Sequence, residues 1–207
     1  MFAKLIQYWN VFYDRRQDFD AFFMKEFVPR IDETGLLKIT GSWHVASGES
    51  PNFIVEGTSA SLEEVETLVM SADFSQLRHS LFHLVSDYST KLMAPTGNVP
   101  PRPVEVEHGF KFTQHFNVNA ADYYAYTAFV RNEHLPKMGQ FGMDMVGGWY
   151  VAVGGTPYVV AEGRADDLTT IGEMLESQEF QMLTLKLLSM VSNYGCKILV
   201  PSGHVNQ

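Results

Sequence analysis

The residues best placed to move a proton lie in the second half of the chain. In Phe110-Lys111-Phe112-Thr113-Gln114-His115-Phe116-Asn117 the phenylalanines alternate with polar residues, so a strand there turns His115 and Asn117 to the face opposite Phe110, Phe112 and Phe116. In Pro157-Tyr158-Val159-Val160-Ala161-Glu162-Gly163 the same alternation sets Glu162 opposite Ala161 and Gly163. If both polar faces look into one cavity, Glu162 orients the His115 imidazole and the two form an acid/base pair, with burial raising the carboxyl's pKa. Asn117 would then position a ligand, and Trp149 or Tyr150 would wall it. His134 falls in the apolar register of a helix after Tyr126, Phe129 and Val130; it is expected to be at least partly buried and to need a partner. Each residue also has a structural reading. Glu162 and Glu56 would pair with a basic residue such as Lys91 or Lys197 and hold a sheet in register. His115 would hydrogen-bond within a core, and His134 would pack or cap its helix.

Other motifs carry less chemistry. His79 and His83 sit at i, i+4, a spacing that can present two imidazoles to a metal, but no third ligand accompanies them, so no metal site is expected. Trp43 and Trp149 could stack a planar ligand or serve as core. Gly147-Gly148 and Gly154-Gly155 mark turns or bulges, because no helix follows them as it does in a phosphate loop. Cys196 has no CxxC partner and is expected to be inert. The sequence carries no nucleophile triad, metal cluster or nucleotide fingerprint, and it names no cofactor.

A net charge of −9 and a pI near 5.2, without a basic run, argue against nucleic acid or an anionic membrane surface as partner. The content of 45% apolar and 19% charged residues is that of a globular protein. With one cysteine, no signal-peptide pattern and no run of about twenty apolar residues, a cytoplasmic location is the default expectation.

Two copies of one pattern must position these residues. Trp43, Pro51, Glu56-Gly57, Leu62, Phe74 and Pro95 recur 106 positions later as Trp149, Pro157, Glu162-Gly163, Leu168, Phe180 and Pro201. Upstream of a one-residue gap the offset is 107, matching Gln7 and Asn10 to Gln114 and Asn117. The chain therefore reads as a duplicated unit: repeat 1 over 1–97, a Pro-rich linker over 98–108, and repeat 2 over 109–207. In the first copy, strands are expected near 4–13, 36–46, 52–59 and 88–94. A helix follows Phe19, Phe22, Phe23 and Phe27 until Pro29 kinks or ends it. Two more helical pieces begin at Ser61, whose Glu64 completes a capping box, and near Ser71. The order β-α-β-β-α-β is that of a ferredoxin-like unit, an α+β fold with helices on one sheet face and the other face bare. The two bare faces are expected to pack together.

His134-Leu135-Pro136, Gly142, Gly147-Gly148-Trp149, Pro157, Glu179-Phe180, and Tyr194 with Lys197 resemble the pattern of NIPSNAP-like proteins of the dimeric α/β-barrel superfamily. That superfamily also holds antibiotic-biosynthesis monooxygenases, haem-degrading monooxygenases and chlorite dismutase-like proteins. The resemblance implies two ferredoxin-like βαββαβ repeats whose antiparallel sheets close an α/β barrel, within the chain or between chains, in a homo-oligomer. It further implies either an enzyme that oxidises or isomerises a small apolar molecule in the barrel cavity, or a non-catalytic ligand-binding or assembly protein. None of the seven histidines matches the setting of the haem-binding relatives.

Overall fold

The structure, a computed structural model, describes residues 2–100 and 109–205. Most of the expected Pro-rich linker lies outside the described residues. The first half runs β1 (Ala3–Val11), α1 (Arg16–Phe22), α2 (Val28–Glu33), β2 (Lys38–Ser47), β3 (Phe53–Ser59), α3 (Leu62–Met70), α4 (Ala72–Phe82) and β4 (Val85–Pro95). The second runs β5 (Phe110–Val118), α5 (Tyr123–Phe129), α6 (Leu135–Gln140), β6 (Asp144–Val153), β7 (Val159–Ala165), α7 (Leu168–Glu176), α8 (Gln178–Leu188) and β8 (Val191–Pro201).

Pro29 does not end its helix. A π turn over Phe23–Phe27 joins α1 to α2, with the Val28 N–H donating to the Phe23 carbonyl; the widened turn accommodates a proline that has no N–H to give. Val130–His134 joins α5 to α6 in the same way ahead of Pro136, so this helix continues to Gln140. The other helices begin on side-chain caps. Ser61 accepts the Glu64 N–H at 3.1 Å while Glu64 Oε2 accepts the Ala60 N–H at 3.0 Å, and Ser71, Asp167 and Ser177 cap α4, α7 and α8.

The strands form one closed antiparallel barrel in the order β1-β3-β2-β8-β5-β7-β6-β4, with β4 returning to β1. Within each half the order is the ferredoxin-like β4-β1-β3-β2 or β8-β5-β7-β6. The halves join where β2 pairs with β8, Trp43 opposite Pro201, and where β4 pairs with β6, Pro95 opposite Trp149. The barrel thus closes within a single chain. Closure satisfies the backbone groups that two open sheets would leave at their edges.

Alternation along the strands sorts the core into three regions. Leu5 and Trp9 face outward onto the helices, where the Trp9 ring meets Phe19, Phe23, Phe27, Phe53 and Tyr88. Phe112 and Phe116 do the same in the second half. Inside the barrel, Ile6, Trp43, Ile54, Met93, Trp149 and Leu199 form the third cluster. Burying each large apolar side chain contributes about 1.5–3 kcal/mol.

Candidate functional site

The centre of the barrel is ionic. Lys4 on β1 donates to both carboxylate oxygens of Glu162 on β7, at 2.8 and 2.7 Å, and lies 2.9 Å from Glu56 on β3. Lys111 on β5 reaches Glu56 at 2.5 Å. All four side chains are at most 2% exposed, and their charges sum to zero. The indoles pack against them: the Trp149 Nε1–H donates to Glu162 at 2.9 Å, and the Lys4 and Lys111 ammonium groups stand 5.3 and 4.8 Å from the rings of Trp149 and Trp43. Gly147 makes room for this contact, since a Cβ there would stand 2.2 Å from Trp149 Nε1 and 2.8 Å from Glu162 Oε2. Burial alone would raise the Glu56 carboxyl's pKa; Lys111 and Lys4 outweigh it and bring the group down to about 2.

Both glutamates therefore point into the barrel, but their partners are Lys4 and Lys111 instead of the anticipated Lys91 and Lys197. Those two lysines stand at the barrel mouth. Lys91 donates to the Pro157 carbonyl at 2.9 Å, and Lys197 donates to the Glu49 carbonyl. Burial lowers both ammonium pKa values. With Tyr8, His115 and the floor residues Glu56 and Glu162 they line a cavity of about 190 Å³. Burial, and then Lys197 and Lys91, lower the His115 pKa. Burial together with the carboxylates of Glu56 and Glu162 holds the Tyr8 hydroxyl protonated.

The structure brings His115 and Glu162 to the same cavity on adjacent strands, two positions out of step: His115 faces Val160, and Glu162 faces Thr113. No hydrogen bond joins them. The Glu162 carboxylate is held by Lys4 and Trp149, while the imidazole lies over Gly195, where a Cβ would stand 2.3 Å from Nε2. Asn117 does not line the cavity. A register shift between His115 and Asn117 interrupts the alternation, and the side-chain Oδ1 of Asn117 accepts the Tyr158 N–H at 2.8 Å, as Asn10 Oδ1 accepts the Asn52 N–H at 2.8 Å. Trp149 is inside the barrel but not at this mouth. Tyr150, one residue on, faces the helices, where burial and Tyr123 raise its pKa to about 12.

His134 is buried between helix and sheet, 5.8 Å from the Phe129 ring, far from the mouth residues. Its expected partner is absent: Nε2 is buried without a hydrogen bond, and burial lowers its pKa to about 4. The space beside it measures about 20 Å³, room for about one water molecule. A haem does not fit there. His79 and His83 lie with ring centroids 5.0 Å apart, and among the described residues no group of three or more His, Cys, Asp or Glu side chains could hold a metal.

Two features escaped the sequence reading. The chain end is clipped to α1: His204 Nδ1 is 2.8 Å from Ser202 Oγ and Nε2 is 2.8 Å from Asp20 Oδ1. Ser202 Oγ also accepts the His204 N–H at 3.2 Å and lies 2.5 Å from Ser42 Oγ. These contacts tie the segment after β8 to α1 and β2, and Thr96, Asn98 and Arg131 make the corresponding clasp at the end of β4. The second feature is a cavity of about 450 Å³ under α3 and α4 against the outer face of β1, β4 and β6, lined largely by apolar groups including Leu5, Val65, Val69, Leu92 and Val153. At the position corresponding to Leu5, the second half has Phe112, whose ring packs edge-on against Phe180 at 5.8 Å. That mismatch of side-chain volume was the available signal.

No family model matches the chain, and no curated protein matches it in sequence. Solved structures do match its fold. A proposed monooxygenase from Lactobacillus acidophilus is 12% identical, with 96% of this chain and 93% of that one covered and a TM-score of 0.63. A mutant chlorite dismutase from Candidatus Nitrospira defluvii is 9% identical, over 97% and 92%, with a TM-score of 0.62. A NIPSNAP family protein from Agrobacterium tumefaciens is 19% identical, with 46% of this chain and 95% of that one covered and a TM-score of 0.37. No described helix is long and apolar enough to cross a membrane. The chain has the ferredoxin-like fold of the dimeric α/β-barrel proteins, with the whole barrel built from one polypeptide.

Proposed function

We propose that this chain binds a small apolar molecule, and that the molecule occupies the cleft beneath α3 and α4 instead of the barrel interior. The 450 Å³ apolar cavity carries this reading, because small-ligand pockets are concave, mostly apolar and about 300–1,000 Å³ in volume. The interior is a poor host for such a ligand: its centre is filled by ion pairs and its mouth is ringed by lysines. The Tyr88 hydroxyl beside the cleft donates to Gln7 Oε1 at 3.0 Å, and with no nucleophile or metal group at hand the cleft is suited to binding more than to turnover. Titration with an environment-sensitive apolar dye tests this. Leu5→Phe, which copies the second half, is expected to abolish the signal, and Glu162→Gln to keep it wherever the variant remains folded. The opposite pattern would put the ligand in the barrel.

A second reading is favoured by the mouth cavity, where a neutral His115 faces Lys91 and Lys197. Those groups suit acid/base chemistry on a small anion, with Glu162 acting across the shared cavity and not through a hydrogen bond. Turnover or binding lost in His115→Phe at unchanged stability would favour it over the cleft. Assembly into a homo-oligomer, if it occurs, has only helices and loops to use, because the closed barrel leaves no strand edge; Met182, Leu185 and Leu188 on α8 are exposed, and light scattering of Leu185→Glu against wild type tests that route.

A further inference from the structure

We infer that the ligand of the helix-side cleft is a carboxylate with an apolar body and that Arg78 receives its head group; this rests on the cleft being the binding site. Arg78 projects from α4 at the cavity wall. Its guanidinium carbon lies 5.7 Å from the Phe82 ring, 5.8 Å from Tyr88 and 6.0 Å from Phe74. Aromatic faces stabilise a guanidinium but replace only part of the hydration it loses on burial. Nε is buried with no hydrogen-bond partner, and Arg78 makes no ion pair among the described residues. Elsewhere, Arg15, Arg30 and Arg164 stand near Asp18, Asp73 and Asp144 at 3.3, 3.4 and 3.9 Å. Of the other described arginines, Arg131 donates to Asn98 Oδ1 and Arg16 stands over the Tyr13 ring, both exposed to water; Arg78 is the one beside the large apolar cavity.

The other half lacks both parts of this arrangement. At the position matching Arg78 it has Thr184, and the level opened by Leu5 is filled by Phe112. Cavity and cation occur together in one half, as recognition of an amphipathic acid requires. A carboxylate offers two coplanar oxygens to the guanidinium fork, while an alkyl chain or aromatic ring system would lie along Leu5, Val69 and Leu92. Glu66, also on the cavity rim, is exposed, so water and salt screen its repulsion of an incoming anion.

Calorimetric titration of wild type, Arg78→Gln and Ala152→Phe with decanoate and with decanol tests the inference. Wild type is expected to prefer decanoate by about tenfold or more, the worth of a charge-assisted hydrogen bond. Arg78→Gln is expected to erase that preference while leaving decanol binding in place; added salt should erode it in wild type without needing any variant. Ala152→Phe, at the exposed rim, should weaken both ligands. Equal binding of the two by wild type, or an unchanged preference in Arg78→Gln, would overturn the carboxylate inference and leave the apolar cleft standing. If wild type binds neither ligand, or Ala152→Phe alters neither, the cleft reading itself falls and the inference with it.

Discussion

The ionic centre of this barrel and its outer helix layers differ in how alike the two halves are. At the ionic centre, matched positions hold the same residues, Lys4 and Lys111, Glu56 and Glu162, Trp43 and Trp149, whereas toward the mouth Ile6 and Tyr8 answer to Thr113 and His115. Outside they part, with Leu5 against Phe112, Phe27 against His134, and Arg78 against Thr184. The contacts explain the difference. Lys4 bonds Glu162 of the other half, and Lys111 bonds Glu56 of the other half, so a change at any of the four disturbs both halves. Each helix layer packs mainly on its own sheet, where one half can change volume or charge without asking the other to follow.

The largest expected effect comes from breaking the inner set. Lys4→Met leaves buried carboxylate charge uncompensated and is expected to cost about 3–5 kcal/mol in urea unfolding. Adding Glu162→Leu should recover much of that loss, since an apolar pair of similar volume is often neutral relative to a buried ion pair; a double variant no better than the single would show that Lys4 matters for packing alone. Acid should act on the same set. Glu56 titrates near 2 when folded, below an ordinary carboxyl, so its stabilising contribution is complete above the unfolded pKa and is lost as pH falls from about 4.3 toward 2.

On the outer face, His134 separates the halves by pH. Its folded pKa of about 4 lies below the ordinary 6.5, so the unfolded chain takes up the proton first. Stability is whole above about pH 6.5 and falls by about 3 kcal/mol on the way down to pH 4. Replacing His134 with Phe, the residue at position 27, should flatten that stretch of the stability profile, measured by denaturant unfolding at several pH values. Phe112→Leu should make the second half more like the first: a loss of about 1–2 kcal/mol and a second apolar-dye site. The smallest effect is expected from Asn10→Ala and Asn117→Ala, about 1 kcal/mol each for the hairpin hydrogen bonds, with ligand binding untouched; a large binding defect in Asn117→Ala would restore it to a ligand site.

Much of the architecture is legible in side-chain alternation. Glu56 and Glu162 are assigned to the barrel interior by strand periodicity alone, and His115 joins them by the same rule. The partners of the glutamates are not legible that way, because naming Lys4 and Lys111 requires knowing which strands meet across the barrel and in what register. Asn117 lies away from the mouth cavity because of a register shift after His115, and a bulge does not announce itself in an alternating pattern. Tyr150 could have been excluded, since its neighbour Trp149 faces inward and consecutive strand residues face opposite ways. The apolar cleft escaped because it consists of missing volume, and a single sequence signals that only through a comparison such as Leu5 with Phe112.

The pairing of β2 with β8 joins Trp43 to Pro201, so the barrel closes only when the last of its eight strands in chain order meets one of the earliest. Until then the first half carries two unpaired edges, β2 and β4, and an inner face of Ile6, Trp43 and Ile54 that would otherwise invite another nascent chain. Lys4 and Glu56 in the middle of that face would keep it hydrated until the second half brings Lys111 and Glu162 to complete the buried ion pairs. Charges that contribute little net stability to the finished barrel can in this way protect the unfinished one from aggregation.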